Sequence, residues 1–402
     1  MGSPTTKGFF VPERLSEARD ARGITQKTLA EASECSDTTI SQWEHGVQAP
    51  TPAGLEKIAA ALNVFPSYFG KKMPYHGDSP VFFRSLANAT KRVRTKEKAR
   101  VRWLQHISGC LQETLEFPPV NIPRVVRPGQ YPRLANADLE QIAADVRAHW
   151  KIGSGPIRTM VLVAENAGVV VGVDEVGSQA IDGQANWSEV DSRPYILLAR
   201  DKYTAYRRQM DIAHELSHVL LHRDVSEDEL TENFDLIESQ AKYLAGAILM
   251  PPKTFVSEIS SLSLDGFLAL KKRWMVAIGA MIMRSRQLNV LSEEAAARLW
   301  KYRATRGWHR REPYDLPSET PIEEPRLLPR SIDMIIKTGV RSKRDLLEID
   351  IGLGAPDVEM LAGLVPGYFS GEPAPVVRIE PRVRDREASG VAAEVIPFKR
   401  PT

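Results

Sequence analysis

The sequence predicts a multi-domain chain in which an all-α domain is followed by an α+β domain and then by a mainly helical C-terminal region. Three observations predict it. At 402 residues the chain is too long for one compact core, given about 150 residues per domain. Residues 9–70 carry only helix signals, whereas from about 135 short β-branched runs are interspersed with helical ones. A stretch rich in Pro and Glu, 312–329, then reads as a linker. Hydrophobic residues at 43% and charged residues at 26% fit a soluble globular class and exclude a fibrous or largely disordered one. The longest apolar run, Trp274–Met283, is about half the ~20 residues that a spanning helix needs, so no membrane association is expected.

The elements follow from their end signals. Arg14–Arg22 is helical in pattern and stops at Gly23; Thr25 caps a second helix through Ala32; Ser36 or Asp37 starts a third that stops at Gly46. Pro52 opens a fourth through Asn63, and a turn follows at Pro66–Phe69. These define a domain over 9–70. A basic linker is expected over 71–134, helical from 81 to 117 and closed by Pro118, Pro119 and Pro123. Between Arg84 and Arg102 it holds eight Lys or Arg and one acid, Glu97, a surplus of +7 suited to phosphates.

Over 135–310 the pattern is α+β. Leu139–Trp150 and Ile157–Ala167 read as helices, Val169–Val173 and Tyr195–Ala199 as strands, and 182–187 as a loop. Helices follow at Thr204–His222 and from Glu238 to Met250, the second stopped by Pro251 and Pro252. Leu264–Arg273 and Ala277–Leu288 are helical too. A linker over 311–330, a small helical region over 331–370 and a loose tail over 371–402 complete the chain.

The chemistry concentrates in His214-Glu215-Leu216-Ser217-His218. On a helix, histidines four apart project from one face one turn apart, so their rings can converge on one ion. That spacing suits tetrahedral Zn2+, with Glu215 as general base for a metal-bound water. A catalytic zinc needs a third protein ligand. Glu238 is the candidate, because its helix also carries Ala241, Ala245 and Leu249, small and apolar residues suited to packing on the first; Asp224, Glu232 and Asp235 are alternatives. His222 lies ~12 Å along the helix from His214 and is expected to make a structural hydrogen bond instead.

The run Asp211–His222, followed by Ile237–Pro251, resembles the ImmA/IrrE family of zinc peptidases, and Phe82–Leu86, Pro118–Val120, Tyr195–Ala199 and Leu270–Trp274 fall where its members carry similar segments. The resemblance implies a zincin-like metallopeptidase domain with His214, His218 and Glu238 as ligands and Glu215 as catalytic base. Ser217 stands where the family usually has Gly.

At the other end, Thr25–Ala30, a turn at Ser33–Ser36 and Thr38–Gly46 have the two-helix spacing by which a second helix enters a major groove. Leu29, Ile40 and Trp43 would hold the pair together. This stretch resembles the Xre/Cro-like helix-turn-helix repressors, which implies that Gln26 contacts phosphate while Thr38, Thr39 and Gln42 read base edges of double-stranded DNA. Between Phe9 and Gly70, however, five Lys or Arg face eight Asp or Glu, a net of −3. DNA affinity is therefore expected to draw on the basic 84–102 segment or on dimerisation, and a homodimer on a two-fold site is expected.

Together these features predict a DNA-binding zinc endopeptidase in transcriptional regulation. The resemblance suggests a helix-turn-helix repressor as the protein substrate, in phage, mobile-element or stress control. The alternatives are a regulator whose zinc domain senses or binds a partner without cutting it, and an antitoxin-like partner-binding protein. Cys35 and Cys110 give no disulfide framework, and the N-terminus lacks a secretory signal, so a cytoplasmic location is expected. Residues 1–6 also fit the permissive pattern for N-myristoylation.

Overall fold

The structure is a computed structural model and describes residues 9–77, 81–83, 90–175, 182–200 and 204–370. The myristoylation pattern at 1–6, the Arg84–Leu86 part of the resembling segment and the tail 371–402 lie outside the described residues.

The N-terminal helices are α1 (Pro12–Arg22), α2 (Gln26–Ala32), α3 (Asp37–Glu44) and α4 (Pro52–Leu62), followed by a 3-10 turn at Pro66–Gly70. Thr25, Ser36 and Thr51 cap α2, α3 and α4 by accepting backbone N–H bonds, the commonest remedy for the open donors of a first helical turn. Gly23 ends α1 in the left-handed conformation at φ 61°, which glycine adopts without steric cost. Leu15, Leu29, Ile40, Ile58 and Leu62 are buried between these helices.

Phe82–Phe83 form a short strand, β1, within the stretch that reads as helical from 81. Their backbone groups pair with a distant strand instead, and the helix α5 (Lys91–Gln112) begins only where Thr90 caps it. Trp103, Leu104, Ile107 and Leu111 on α5 are buried in one cluster with Leu15, Ile58 and Tyr68 of the N-terminal helices. The segment expected as a linker therefore contributes a packed face.

After α6 (Asn136–His149) and α7 (Met160–Asn166) come β2 (Val170–Asp174), β3 (Gly183–Ser188) and β4 (Arg193–Ala199). Among the described residues they form with β1 a four-stranded sheet of order β1-β3-β4-β2, in which β2 runs parallel to β4 and the other pairs are antiparallel. The expected loop at 182–187 is thus a strand. Polar Gln184 and Asn186 hide a strand from a pattern reading, yet both are buried, taking up Glu97 and Gln105 of α5 as partners.

Side chains alternate across a strand, and here both faces are covered. Val171, Val173, Ala185, Ile196 and Leu198 pack with α6, α7, α8 (Ala205–Leu221) and α10 (Phe234–Leu249). Val170, Tyr195, Leu197 and Ala199 pack with α5 and with the C-terminal helices α15 (Leu327–Lys337) and α17 (Ala355–Leu361). Between these lie α9 (Glu227–Glu232), α11 (Pro252–Glu258), α12 (Leu264–Trp274), α13 (Ile278–Gln287), α14 (Glu293–Thr305) and α16 (Lys343–Asp345). The expected linker at 311–330 is pinned at its start, where buried Glu312 accepts from Lys271 Nζ and from the Ile278 and Gly279 amides. An ion-pair chain crosses the second layer: Asp357 of α17 takes both Arg22 of α1 and Arg100 of α5, and Arg100 also holds Asp174 of β2, each at 2.6 Å. No helix among the described residues is long and apolar enough to cross a membrane.

Candidate metal centre

Helix α8 starts at its Thr204 cap and buries nearly its whole length, with Ile212, Ala213, Leu216, Val219 and Leu220 in the core. Its i, i+4 spacing brings His214 and His218 together, Nε2 to Nε2 at 3.1 Å. Helix α10 packs on α8 and delivers Glu238, whose Oε1 lies 3.1 Å from His218 Nε2 and 3.5 Å from His214 Nε2. Glu238 does not begin this helix, as the sequence suggested. The Ile237 amide already bonds the Asn233 carbonyl, so α10 starts at Phe234 and Glu238 sits in its second turn.

Do these residues fit a metal? The ligand atoms of His214, His218 and Glu238 all lie within 4.8 Å of one another and all three residues are buried. Edges of 3.1, 3.1 and 3.5 Å match one face of a tetrahedron around an ion with bonds of ~2.0–2.1 Å, which is about 3.3 Å on edge. Protons would satisfy this triangle poorly, since two ring N–H groups aimed at one carboxylate would stand against each other. Burial raises the Glu238 carboxyl, but hydrogen bonds and charge from His214 and His218 outweigh it and hold the group well below the usual carboxylate range. The donor set therefore suits a divalent cation. Among the described residues it is the one such cluster, and the alternatives Asp224, Glu232 and Asp235 are exposed and outside it, Asp224 pairing with Arg124 at 2.8 Å.

Behind His218 runs a relay of defined polarity. Its Nδ1 lies 3.2 Å from His222 Nδ1, His222 Nε2 lies 3.1 Å from Gln240 Oε1, and Gln240 Nε2 donates to the Tyr131 carbonyl at 2.7 Å. A side-chain amide oxygen only accepts, so His222 carries its proton on Nε2. Burial lowers its pKa to about 3, leaving Nδ1 to accept from His218. The His218 Nε2 lone pair then points at the ligand triangle. His222 thus makes the structural hydrogen bond expected of it.

Glu215 is 1% exposed and lies against β3 at Gly183, where an added β-carbon would stand 3.0 Å from its Oε1. On the other side the Phe82 ring stacks on His218 at 4.7 Å and 13°. Sequence reasoning missed Gln240, held Phe82 only as part of a resembling segment and placed Gly183 in a loop; an isolated Gly beside Gln and Asn was a visible hint of a close approach.

In the N-terminal domain α3 carries Thr38 exposed and Gln42 half-buried. The Thr39 hydroxyl meets Ser36 Oγ at 2.8 Å, and Gln26 Nε2 donates to Glu44 at 2.7 Å, the carboxylate that also takes Arg19. Gln26 is thereby held at the start of α2.

Two family matches accord with this geometry. Residues 15–69 match a helix-turn-helix family, and residues 164–286, which contain the whole ligand triangle and Glu215, match the IrrE N-terminal-like domain. No curated protein matches the chain. The chain thus joins a region similar to helix-turn-helix domains to a region similar to the IrrE N-terminal-like domain.

Proposed function

We propose that the protein is a zinc-dependent endopeptidase that acts in transcriptional regulation by cutting a helix-turn-helix repressor while bound to double-stranded DNA. The reading places it in the cytoplasm, as a homodimer on a two-fold site. The observation that carries it is the buried triangle of His214 Nε2, His218 Nε2 and Glu238 Oε1, with Glu215 next along α8.

His214, His218 and Glu238 hold the ion, and the His222–Gln240–Tyr131 relay fixes the ring that faces it. A zinc held there would supply positive charge to a peptide carbonyl and make a nearby water more acidic. Glu215 would take a proton from the attacking water as its oxygen bonds the carbonyl carbon, and would return it to the amine nitrogen as the C–N bond breaks. The helix-turn-helix domain brings the site to DNA, where a repressor is at hand. Neighbouring-gene repressors incubated with the zinc-loaded protein should be cut, and a chelator should stop it. Glu215→Gln should keep one zinc per chain and lose cleavage. Cleavage that survives this change, or a protein that stays metal-free in every zinc titration, defeats the reading.

A second reading, a regulator whose zinc domain senses or binds a partner without cutting it, draws on the burial of His214, Glu215, His218 and Glu238, none more than 4% exposed. The repressor assay separates the two.

A further inference from the structure

A site that cuts polypeptides must admit one, and burial of its four residues poses the question of what stands in the way. Strand β3 passes Glu215 at Gly183, and a strand edge is a ready docking surface for an extended peptide. That edge is taken. Phe82 pairs with Ala185 and Phe83 with Gln184 in antiparallel register. Upstream, the His76 carbonyl accepts from the Glu189 amide at 3.1 Å, and His76 Nδ1 meets Ser188 Oγ at 2.9 Å. Gly77, at φ 88°, lies against the Glu189 side chain. Contacts with the chain's own segment thus line this edge from Glu189 to Gln184. Within it Phe82 is 4% exposed and lies flat on His218, a member of the ligand triangle.

We propose that the outer edge of β3 is the docking surface for an extended polypeptide substrate, and that His76 and Gly77 at one end and Phe82 and Phe83 at the other are its built-in occupant, which must leave before a substrate enters. The inference rests on the peptidase reading. It also names the chemistry of the incoming chain: an unfolded or extended segment that pairs main chain with Gln184 and Ala185 and offers an aromatic ring to His218. The occupant directly follows the helix-turn-helix domain in sequence, so what happens at DNA has a short covalent path to the cleft.

The test uses the full chain, zinc-loaded, in the non-cutting Glu215→Gln form, with a fluorescein-labelled synthetic peptide of residues 76–90 as probe. Adding Phe82→Ala should tighten probe binding at least 10-fold and speed hydrogen exchange at the Gln184 and Ala185 amides. A lock that keeps Phe82, Phe83→Cys with Gln184→Cys in a Cys35→Ser, Cys110→Ser background, should exclude the probe when oxidised and admit it when reduced. Equal probe affinity in the oxidised and reduced lock, or no gain from Phe82→Ala, overturns the inference. With Glu215 intact, Phe82→Ala should also raise kcat/KM on labelled casein at least 10-fold at unchanged zinc content. Tighter probe binding without casein cleavage would sink the peptidase reading and leave the docking edge standing.

Discussion

Gly183 is the wall against which the Glu215 side chain rests: a β-carbon there would come within 3.0 Å of Oε1 and 3.1 Å of Cγ. Such a contact forces the neighbour to give way, and Glu215 in its proposed role of general base would lose much of its effect if displaced by part of an ångström. Gly183→Ala should therefore lower kcat about 10-fold, and Gly183→Val about 100-fold, at one zinc per chain. Steady-state kinetics with metal analysis checks it; an unchanged kcat means that Glu215 is not positioned by this contact.

The relay behind His218 makes a separable prediction. Gln240→Leu leaves the His222 Nε2 proton without its acceptor and frees the ring to turn. Outer partners of metal-bound histidines are worth about 10–100-fold in affinity. Competition against a chelator of known zinc affinity should show a loss of that size while the fold persists. Affinity equal to wild type would make Gln240 a packing residue only.

Electrostatics predicts how DNA binding responds to salt. The first turns of α5 carry Lys91, Arg92, Arg94 and Lys96, an unfavourable sign at the positive end of a helix dipole. They stand beside the turn before α2, since Arg92 donates to the Gly23 carbonyl and Lys96 packs on Gly23. Neutralising Lys91, Arg94 and Lys96 to Gln should flatten the slope of log K against log salt by about 2.7 on a random-sequence duplex, at 0.9 per phosphate contact. A slope equal to wild type places α5 off the DNA.

Glu97 sets a pH dependence of stability. Burial, then the Asp174 charge, raise its pKa to about 7, against Lys96, Arg100 and the Gln184 hydrogen bond. The folded protein then holds a proton that the unfolded chain releases near the ordinary glutamate value of 4.5. Stability contributed by that proton is complete below pH 4 and is lost as pH rises to about 7. Glu97→Gln should match wild type at low pH and exceed it at pH 8 by about 3 kcal/mol, read from urea midpoints. An equal advantage at both ends of the range would refute the assignment.

What the sequence made legible was local. The spacing of His214 and His218 is a property of one helix, and Glu238 could be paired with them because small residues on its own helix announce close packing. The helix-turn-helix caps at Thr25 and Ser36 were readable for the same reason. What stayed hidden depends on partners far along the chain. β3 contains Gly, Ala and Asn, poor strand formers by propensity, and becomes a strand because β1, β4 and α5 satisfy it. Two residues, Phe82 and Phe83, cannot signal a strand at all without their partner's backbone.

The ion chain from Arg22 through Asp357 and Arg100 to Asp174 makes the last described helix a keystone. Cutting it away would take one carboxylate from half-buried Arg22 and leave buried Arg100 with Asp174 alone, and removing a partner from a buried ion pair is costly for any fold. Neither the DNA-reading head nor the sheet beneath it is complete without residues that the ribosome makes more than three hundred positions after the first.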